Sequence, residues 1–322
     1  MKAIIYRQSG PSSVLSLEDI ETPLPGPDQV RVKIVCSGVN PTDWKIRSGM
    51  TIVHPHGFQI PHQDGSGVID AIGEDVTERS VGQRVWLYLA AYNNPYGTAA
   101  EYCILPVERT VPLPDNTSYE LGASLGVPAL TAAHCLGGNP AALKDAHVLV
   151  AGGAGAVGHY AIELAKFAGA KVAATVSTEE KACLASAAGA DLVVNYKDQE
   201  AVEQLKNFAP KMDYIVEVAF GTNMEINLAL SGLGTKIAVY SNETTDPVLP
   251  IRRFMVTNAS INFVMLYTVA QHDINNAINW TTDALTRGAL SELPIHSFPL
   301  KDTAQAQDAV EDGLIGKVVV TP

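Results

Sequence analysis

Cysteine is scarce in this chain of 322 residues, and Cys36, Cys103, Cys135 and Cys183 stand far apart, with no Cys-x-x-Cys pair and no histidine-rich run joined to them. That spacing gives no zinc knuckle and no redox couple; reduced, mostly buried thiols are expected. Basic residues are also few: 22 lysines and arginines face 34 aspartates and glutamates, a formal net charge of -12 at pH 7. Nucleic acid and anionic membranes both need basic surface, so neither is expected as a partner, while a local basic site for a phosphate is compatible with the total. No apolar run is long enough to span a bilayer, and Arg7, Gln8 and Gly10 interrupt the first apolar residues before a signal region forms. A cytoplasmic location is the expectation. Low-complexity tracts and short repeats are missing as well. With 47% hydrophobic and 17% charged residues, the chain reads as ordered, and its length suits two domains with a cleft between them.

What is present falls into two patterns. Through the first third, short β-branched runs at 2–6, 29–36, 67–72, 84–89 and 99–105 alternate with turn residues such as Pro23, Pro25, Gly26, Pro27 and Gly82. This predicts an irregular all-β domain, a partly open barrel. From about Tyr119 the pattern turns helical, and then apolar strands at 147–151, 171–176, 192–195, 214–218 and 236–240 alternate with helical stretches at 156–167 and 179–188. Strand–helix alternation with near-continuous apolar strands predicts an α/β fold, a doubly wound parallel sheet covered on both faces. The final run, 316–320, reads as a strand that returns to the first domain.

Between the 147–151 strand and its helix lies Gly153-Ala154-Gly155-Ala156-Val157-Gly158, a G-x-G-x-x-G. Placed there, the glycines permit a tight turn and close backbone approach, so that a pyrophosphate can sit on the helix amino terminus. The end of the second strand chooses between nicotinamide cofactors. An NAD site places a carboxylate there for the ribose hydroxyls, whereas this chain has Ser177, with Lys181 one helical turn later. A hydroxyl and an ammonium suit a 2′-phosphate, which favours NADPH. By position alone Lys181, beside Glu179 and Glu180, is a solvated helix lysine; its pairing with Ser177 raises it to a candidate.

The whole chain resembles the quinone oxidoreductase branch of the medium-chain dehydrogenase/reductases, the zeta-crystallin-like group. The resemblance is carried, in order, by Gly38-Val39-Asn40-Pro41-Thr42-Asp43 with Ile46-Arg47-Ser48-Gly49, by Asp64-Gly65-Ser66-Gly67, Val81-Gly82-Gln83-Arg84-Val85 and Gly97-Thr98-Ala99-Ala100-Glu101-Tyr102, by the glycine turn, and by Gly189-Ala190-Asp191, Asn195-Tyr196 and Gly316-Lys317-Val318. It implies a catalytic chaperonin-10-like (GroES-like) β domain from residues 1–120 and 285–322 around a Rossmann NADPH-binding domain at 121–284. It also implies that Tyr196 lies near the adenosine phosphate, that Thr131, Ala219, Ser241 and Phe263, Val264 and Met265 contribute to the cofactor site, and that Lys317 approaches the cofactor from the tail. Dimer contacts are implied along 259–265, giving a homodimer or homotetramer.

Zinc alcohol dehydrogenases of the same superfamily carry a cysteine where this chain has Asn40 and a histidine where it has Gln63, and their third ligand falls near Val127-Pro128, which cannot coordinate. Loss of both ligands argues against a tight zinc site. The group His54, His56 and His62 is the one place where metal ligation can be argued, against ordinary surface or cleft histidines. Without a Lewis acid, an acceptor that is already electron-poor, a quinone or activated enone, is favoured. Asn40 and Thr42 are the candidates for hydrogen bonding near the reacting atoms, with Gln63, Asp64 and Asp43 beside them. Trp44 and Arg47 are candidates for the acceptor site, Trp44 equally for plain packing, and Tyr92 and Tyr96 for its entrance. Two alternatives stay open: an enone or enoyl reductase, and a cofactor-binding structural or RNA-binding protein.

Overall fold

The computed structural model describes residues 1–50, 57–242 and 245–322. The chain divides into two compact units, Met1–Val127 with Pro294–Pro322, and Pro128–Leu293.

The first unit opens with the hairpin of β1 (Lys2–Ile5) and β2 (Ser16–Asp19), followed by β3 (Gln29–Gly38), α1 (Pro41–Ser48), β4 (Asp64–Ile72), β5 (Arg84–Leu87), β6 (Tyr102–Pro106) and β7 (Thr110–Pro112). β3 is the hub. Its alternate residues Val30, Val32 and Ile34 point into a core closed by Ile69, Val85, Leu87 and Leu105, Cys36 packs instead with Ala123 and Val319, and the strand pairs antiparallel with both β4 and β6. α1 lies in a stretch where no helix was expected. Its signals are there nonetheless: Pro41 occupies the first turn, where a missing N–H is harmless, and the Asn40 N–H donates to Asp43 Oδ2 at 2.7 Å.

The division between units falls within α2 (Tyr119–Cys135). The second unit continues with β8 (His147–Ala151), α3 (Ala156–Phe167), β9 (Lys171–Val176), α4 (Glu179–Ala187), β10 (Leu192–Asn195), α5 (Ala201–Phe208), β11 (Met212–Glu217), α6 (Met224–Leu230), β12 (Ser231–Val239), α7 (Ile251–Met255), β13 (Ser260–Phe263) and α8 (Gln271–Thr286). Its six strands are all parallel in the order β10-β9-β8-β11-β12-β13, the doubly wound arrangement in which the order reverses beside β8. Val148, Leu149 and Val150 are buried in succession because helices cover both faces of the sheet. α3 buries Tyr160, Ala161, Ile162, Leu164 and Ala165. Burial of each large apolar side chain contributes about 1.5–3 kcal/mol.

The chain then completes the first unit with β14 (Ile295–Pro299), α9 (Thr303–Glu311) and β15 (Lys317–Thr321). β15 pairs parallel with β14 and antiparallel with the end of β3, through Val319 opposite Gly38 and Val320 opposite Ser37. Gly316, at φ +118°, sets its entry: a side chain there would strike the Pro294 carbonyl and the His296 ring.

The glycines after β8 are not equivalent. Gly152, at φ +70° and one residue ahead of the G-x-G-x-x-G, makes the tight turn. A Cβ on Gly153 would press on Ala174, and one on Gly158 would run into the Gly152 carbonyl, so these two serve helix–sheet packing. Gly155 has ordinary φ, and its Cβ would meet nothing closer than 3.4 Å. Gly158→Ala is therefore expected to destabilise the second unit by about 1–3 kcal/mol, as overpacking does, and Gly155→Ala to leave its unfolding temperature unchanged. Differential scanning calorimetry of the two variants checks this; equal effects contradict it.

Candidate functional site

In the second unit the candidate cofactor residues gather at the carboxyl ends of the strands. The Gly152–Gly158 turn leads from β8 into α3, whose first N–H groups have no partner within the helix. Gly155, at the N-cap, needs glycine neither for its backbone angle nor for packing, and its missing side chain leaves open the approach to those N–H groups. A phosphate group fits such a cradle. Ala154, Ala156 and Val157 complete the loop and first helical turn. At the end of β9, Lys181 Nζ stands 3.5 Å from Ser177 Oγ, so the one basic group of this turn reaches back over the strand end. Tyr196 follows β10 directly; its N–H donates to the Val176 carbonyl at 3.1 Å and its ring is partly exposed. Ala219 and Ser241 follow β11 and β12, and the Ala219 N–H donates to the buried Glu217 carboxylate at 2.6 Å. Thr131 is buried in α2. Beyond β12, Val264 is buried, whereas Phe263 and Met265 are 70% and 56% exposed.

The first unit holds a second cluster, more polar and fully buried. Asn40, at the amino end of α1, donates through Nδ2 to Asp64 Oδ2 at 2.6 Å and accepts at Oδ1 from Lys317 Nζ at 2.8 Å. The other Asp64 oxygen accepts from the Val127 N–H at 2.8 Å. Gly126 lets the carboxylate in, since a Cβ there would collide with it. Burial pushes the Asp64 carboxyl up to about 6, with Lys317 and the Asn40 hydrogen bond pulling the other way. Burial also raises Asp43 and lowers Lys317. Gln63 is buried beside a cavity of about 20 Å³ that Asp43, His62 and Tyr92 also line, and its Oε1 finds no partner among the described residues.

Three expected positions look different in the structure. Arg47 is only 1% exposed and is no cleft wall: Nε donates to Gln307 Oε1 at 2.7 Å and Nη1 to the Gly10 carbonyl at 2.7 Å, tying α1 to α9. Lys317, expected to approach the cofactor from the tail, is buried with Nζ on the Asn40 amide oxygen. Tyr96 packs edge-on to Phe58, centroids 5.6 Å apart, against an apolar cluster. Trp44 and Thr42 are both half-buried on α1.

His54 and His56 lie outside the described residues, so the histidine group is known only through His62. His62 is buried at φ +79° with both nitrogens engaged. Because Arg47 occupies Gln307 Oε1, Gln307 must donate to His62 Nε2 (3.2 Å); His62 Nδ1–H then donates to Ser37 Oγ (2.9 Å), Ser37 to Thr98 Oγ1 (2.7 Å), and Thr98 to the Asp64 carbonyl (2.5 Å). This chain holds the imidazole neutral in one tautomer. Nothing in the sequence marked it, since its members are spread from Ser37 to Gln307; the only local signal was Pro61-His62-Gln63-Asp64, read there for metal ligands. Among the described residues no group of three or more His, Cys, Asp or Glu side chains is arranged to hold a metal ion.

Burial, then Lys317, lowers the His62 pKa to about 3. The unfolded chain takes up this proton below about 6.5 and the folded chain does not until about 3, so stability falls as pH drops through that interval, by up to about 1.4 kcal/mol per pH unit. Asp64 acts oppositely, its raised pKa removing stability as pH rises from about 4 to about 6. His62→Asn, which tolerates the left-handed backbone, is expected to be less stable at pH 7 but to lose less on acidification to pH 4 than the unsubstituted protein. Denaturant titrations at both pH values check this, and equal losses contradict it.

Residues 26–115 match the family model of the alcohol dehydrogenase GroES-like domain, and residues 156–283 that of the zinc-binding dehydrogenase. The chain is 29% identical to a quinone oxidoreductase of Rattus norvegicus, over 99% of this chain and 97% of the relative. Among solved structures it is similar to a mycobacterial protein complexed with NADPH, with 26% identity, TM-score 0.86 and complete coverage of both chains. It is likewise similar to an NAD-dependent alcohol dehydrogenase, with 25% identity, TM-score 0.88 and complete coverage of both.

Proposed function

The chain belongs to the medium-chain dehydrogenase/reductase superfamily and is an oxidoreductase, and on that footing we propose that it is an NADPH-dependent, zinc-independent quinone reductase. The observation that carries the cofactor choice is the end of β9, where Ser177 and Lys181 meet in the place of a carboxylate. Solved relatives use both NADPH and NAD, so this pair and not the fold supports the choice.

The bound nicotinamide supplies the hydride. The α3 amino terminus and Gly155 would hold the pyrophosphate, Ser177 and Lys181 the 2′-phosphate, and Tyr196 would lie near the adenosine phosphate. Thr131, Ala219, Ser241 and the chain from Phe263 to Met265 complete the site. In the first unit Asn40 and Thr42 hydrogen-bond to the acceptor oxygen, where negative charge develops on reduction. Asn40 and Gln63 are carboxamides, poor zinc ligands, and Asn40 is already committed between Lys317 and Asp64. That donor set supports an acceptor electron-poor enough to need no Lewis acid, and the rat relative's activity names one class, quinones. No described helix is long and apolar enough to cross a membrane.

If Lys181 grips the 2′-phosphate, Lys181→Ala weakens NADPH binding by about 1–3 kcal/mol and leaves NADH almost untouched. Ser177→Asp goes further, because it adds repulsion against the phosphate and an acceptor for the ribose hydroxyls. Steady-state kinetics with both cofactors at fixed quinone decide it; equal effects on both overturn the assignment.

Among the described residues β13 has no partner on its outer side, and this edge carries exposed Phe263, with exposed Met255 and Val256 shortly before it. An apolar edge of this kind is normally covered, and a second copy of the chain covers it here. Sedimentation at micromolar concentration is expected to show a dimer or tetramer, and Phe263→Lys a monomer. A monomeric unsubstituted protein rules this out.

A further inference from the structure

The geometry points to Lys317 as a positioning residue that acts through Asn40: it fixes the direction of the Asn40 carboxamide and so aims the amide N–H that the proposed reduction uses. The inference rests on the reading of the protein as a reductase with Asn40 at the reacting atoms.

The two ends of the amide face opposite charges. Oδ1 meets an ammonium, which can only donate; Nδ2 meets a carboxylate oxygen, which can only accept when ionised. Turning the amide over would set carbonyl against carboxylate and NH₂ against ammonium, two repulsive contacts in an interior where Asn40, Asp64 and Lys317 are each at most 2% exposed. One orientation is therefore enforced. Both anchors are themselves fixed: Lys317 Nζ also donates to the Val39 carbonyl at 3.1 Å, and Asp64 Oδ1 is held by the Val127 N–H. The lysine backbone is set by Gly316 and by its own N–H on the Pro294 carbonyl at 2.8 Å.

With Nδ2 pointed by this clamp, one of its two protons goes to Asp64, and the second is the one the proposed reduction would draw on. The dipole of the amide lies along the field between ammonium and carboxylate, which polarises its N–H groups and strengthens them as donors. Lys317 thus needs no contact with substrate to matter: its hydrogen bond, arriving from the last strand of the chain, decides which amide atom is offered.

Four variants test this: Lys317→Met, Lys317→Gln, Asn40→Ala and the double variant Asn40→Ala/Lys317→Met, assayed with NADPH and p-benzoquinone. Asn40→Ala is expected to lower kcat by roughly 10²-fold, the size of a lost oxyanion donor, with little change in KM for NADPH. Lys317→Met should lower kcat comparably, and the double variant should be no worse than Asn40→Ala alone. Lys317→Gln keeps a donor for Asn40 Oδ1 and should retain most of kcat. Additive losses in the double variant, or a Lys317→Gln as impaired as Lys317→Met, overturn the inference.

Lys317→Met leaves Asp64 buried without its counter-charge, so thermal unfolding is measured alongside; if that variant does not fold, the Gln variant alone decides, by retention or loss of kcat. The side-chain amide resonances of Asn40 give a readout without cofactor: two dispersed proton signals in the unsubstituted and Gln proteins, shifted toward unstructured values in any folded Met variant. Unchanged signals there count against the inference. If the unsubstituted protein oxidises no NADPH with any quinone, the reductase reading fails, while the amide resonances still test the clamp.

Discussion

Asp64 and Lys317 are ionisable groups buried in the first unit, and the Asn40 carboxamide between them is what makes that placement tolerable. Removing either charge would leave the other uncompensated in a low-dielectric interior, a loss of about 3–5 kcal/mol. The line Lys317–Asn40–Asp64 runs from β15, across the N-cap of α1, to the first residue of β4. It therefore joins the last strand of the chain to segments near its beginning. The close β3–β15 pairing, the glycine that starts β15 and the gap at Gly126 all serve to bring these three side chains together.

The two units solve different physical problems. The second offers backbone: a glycine turn, a helix amino terminus and strand ends carrying small or single polar side chains, which suits a long anionic ligand with little shape of its own. The first offers fixed polar direction. Besides the Asn40 clamp, the run of donors from Arg47 through Gln307, His62, Ser37 and Thr98 ends on the Asp64 carbonyl. Each member has one way to bond, and His62 accepts a strained left-handed backbone to take its place in it. Such a network rigidifies a site when every member is satisfied.

The sequence made the second unit legible because apolar period and glycine spacing are local: the strands at His147–Ala151, Lys171–Val176 and Leu192–Asn195 and the helix at Ala156–Phe167 fall where the pattern put them. The first unit was less legible. Its short β2, β7 and β14 alternate poorly, and α1 was hidden although Asn40, Pro41 and Asp43 carry its start signals. Arg47 and Lys317 read as ligand contacts because charged residues in a family motif suggest solvent or substrate; partners 260 and 277 residues away, Gln307 and Asn40, bury them. No window of sequence contains both members of such a pair. The glycine turn shows the same limit in small: spacing marked the run from Gly153 to Gly158 without telling its glycines apart, and the backbone puts the left-handed turn at Gly152, one residue ahead of it.

On the proposed function, the carboxamide, carboxylate and ammonium of Asn40, Asp64 and Lys317 would do without metal what a thiolate–imidazole zinc site does elsewhere in the superfamily. The most direct measurement is NADPH oxidation against p-benzoquinone by protein dialysed exhaustively against a chelator, with zinc determined on the same sample by elemental analysis. The account predicts full activity with far less than one zinc per chain. Activity that is lost with the metal and restored by zinc would contradict it.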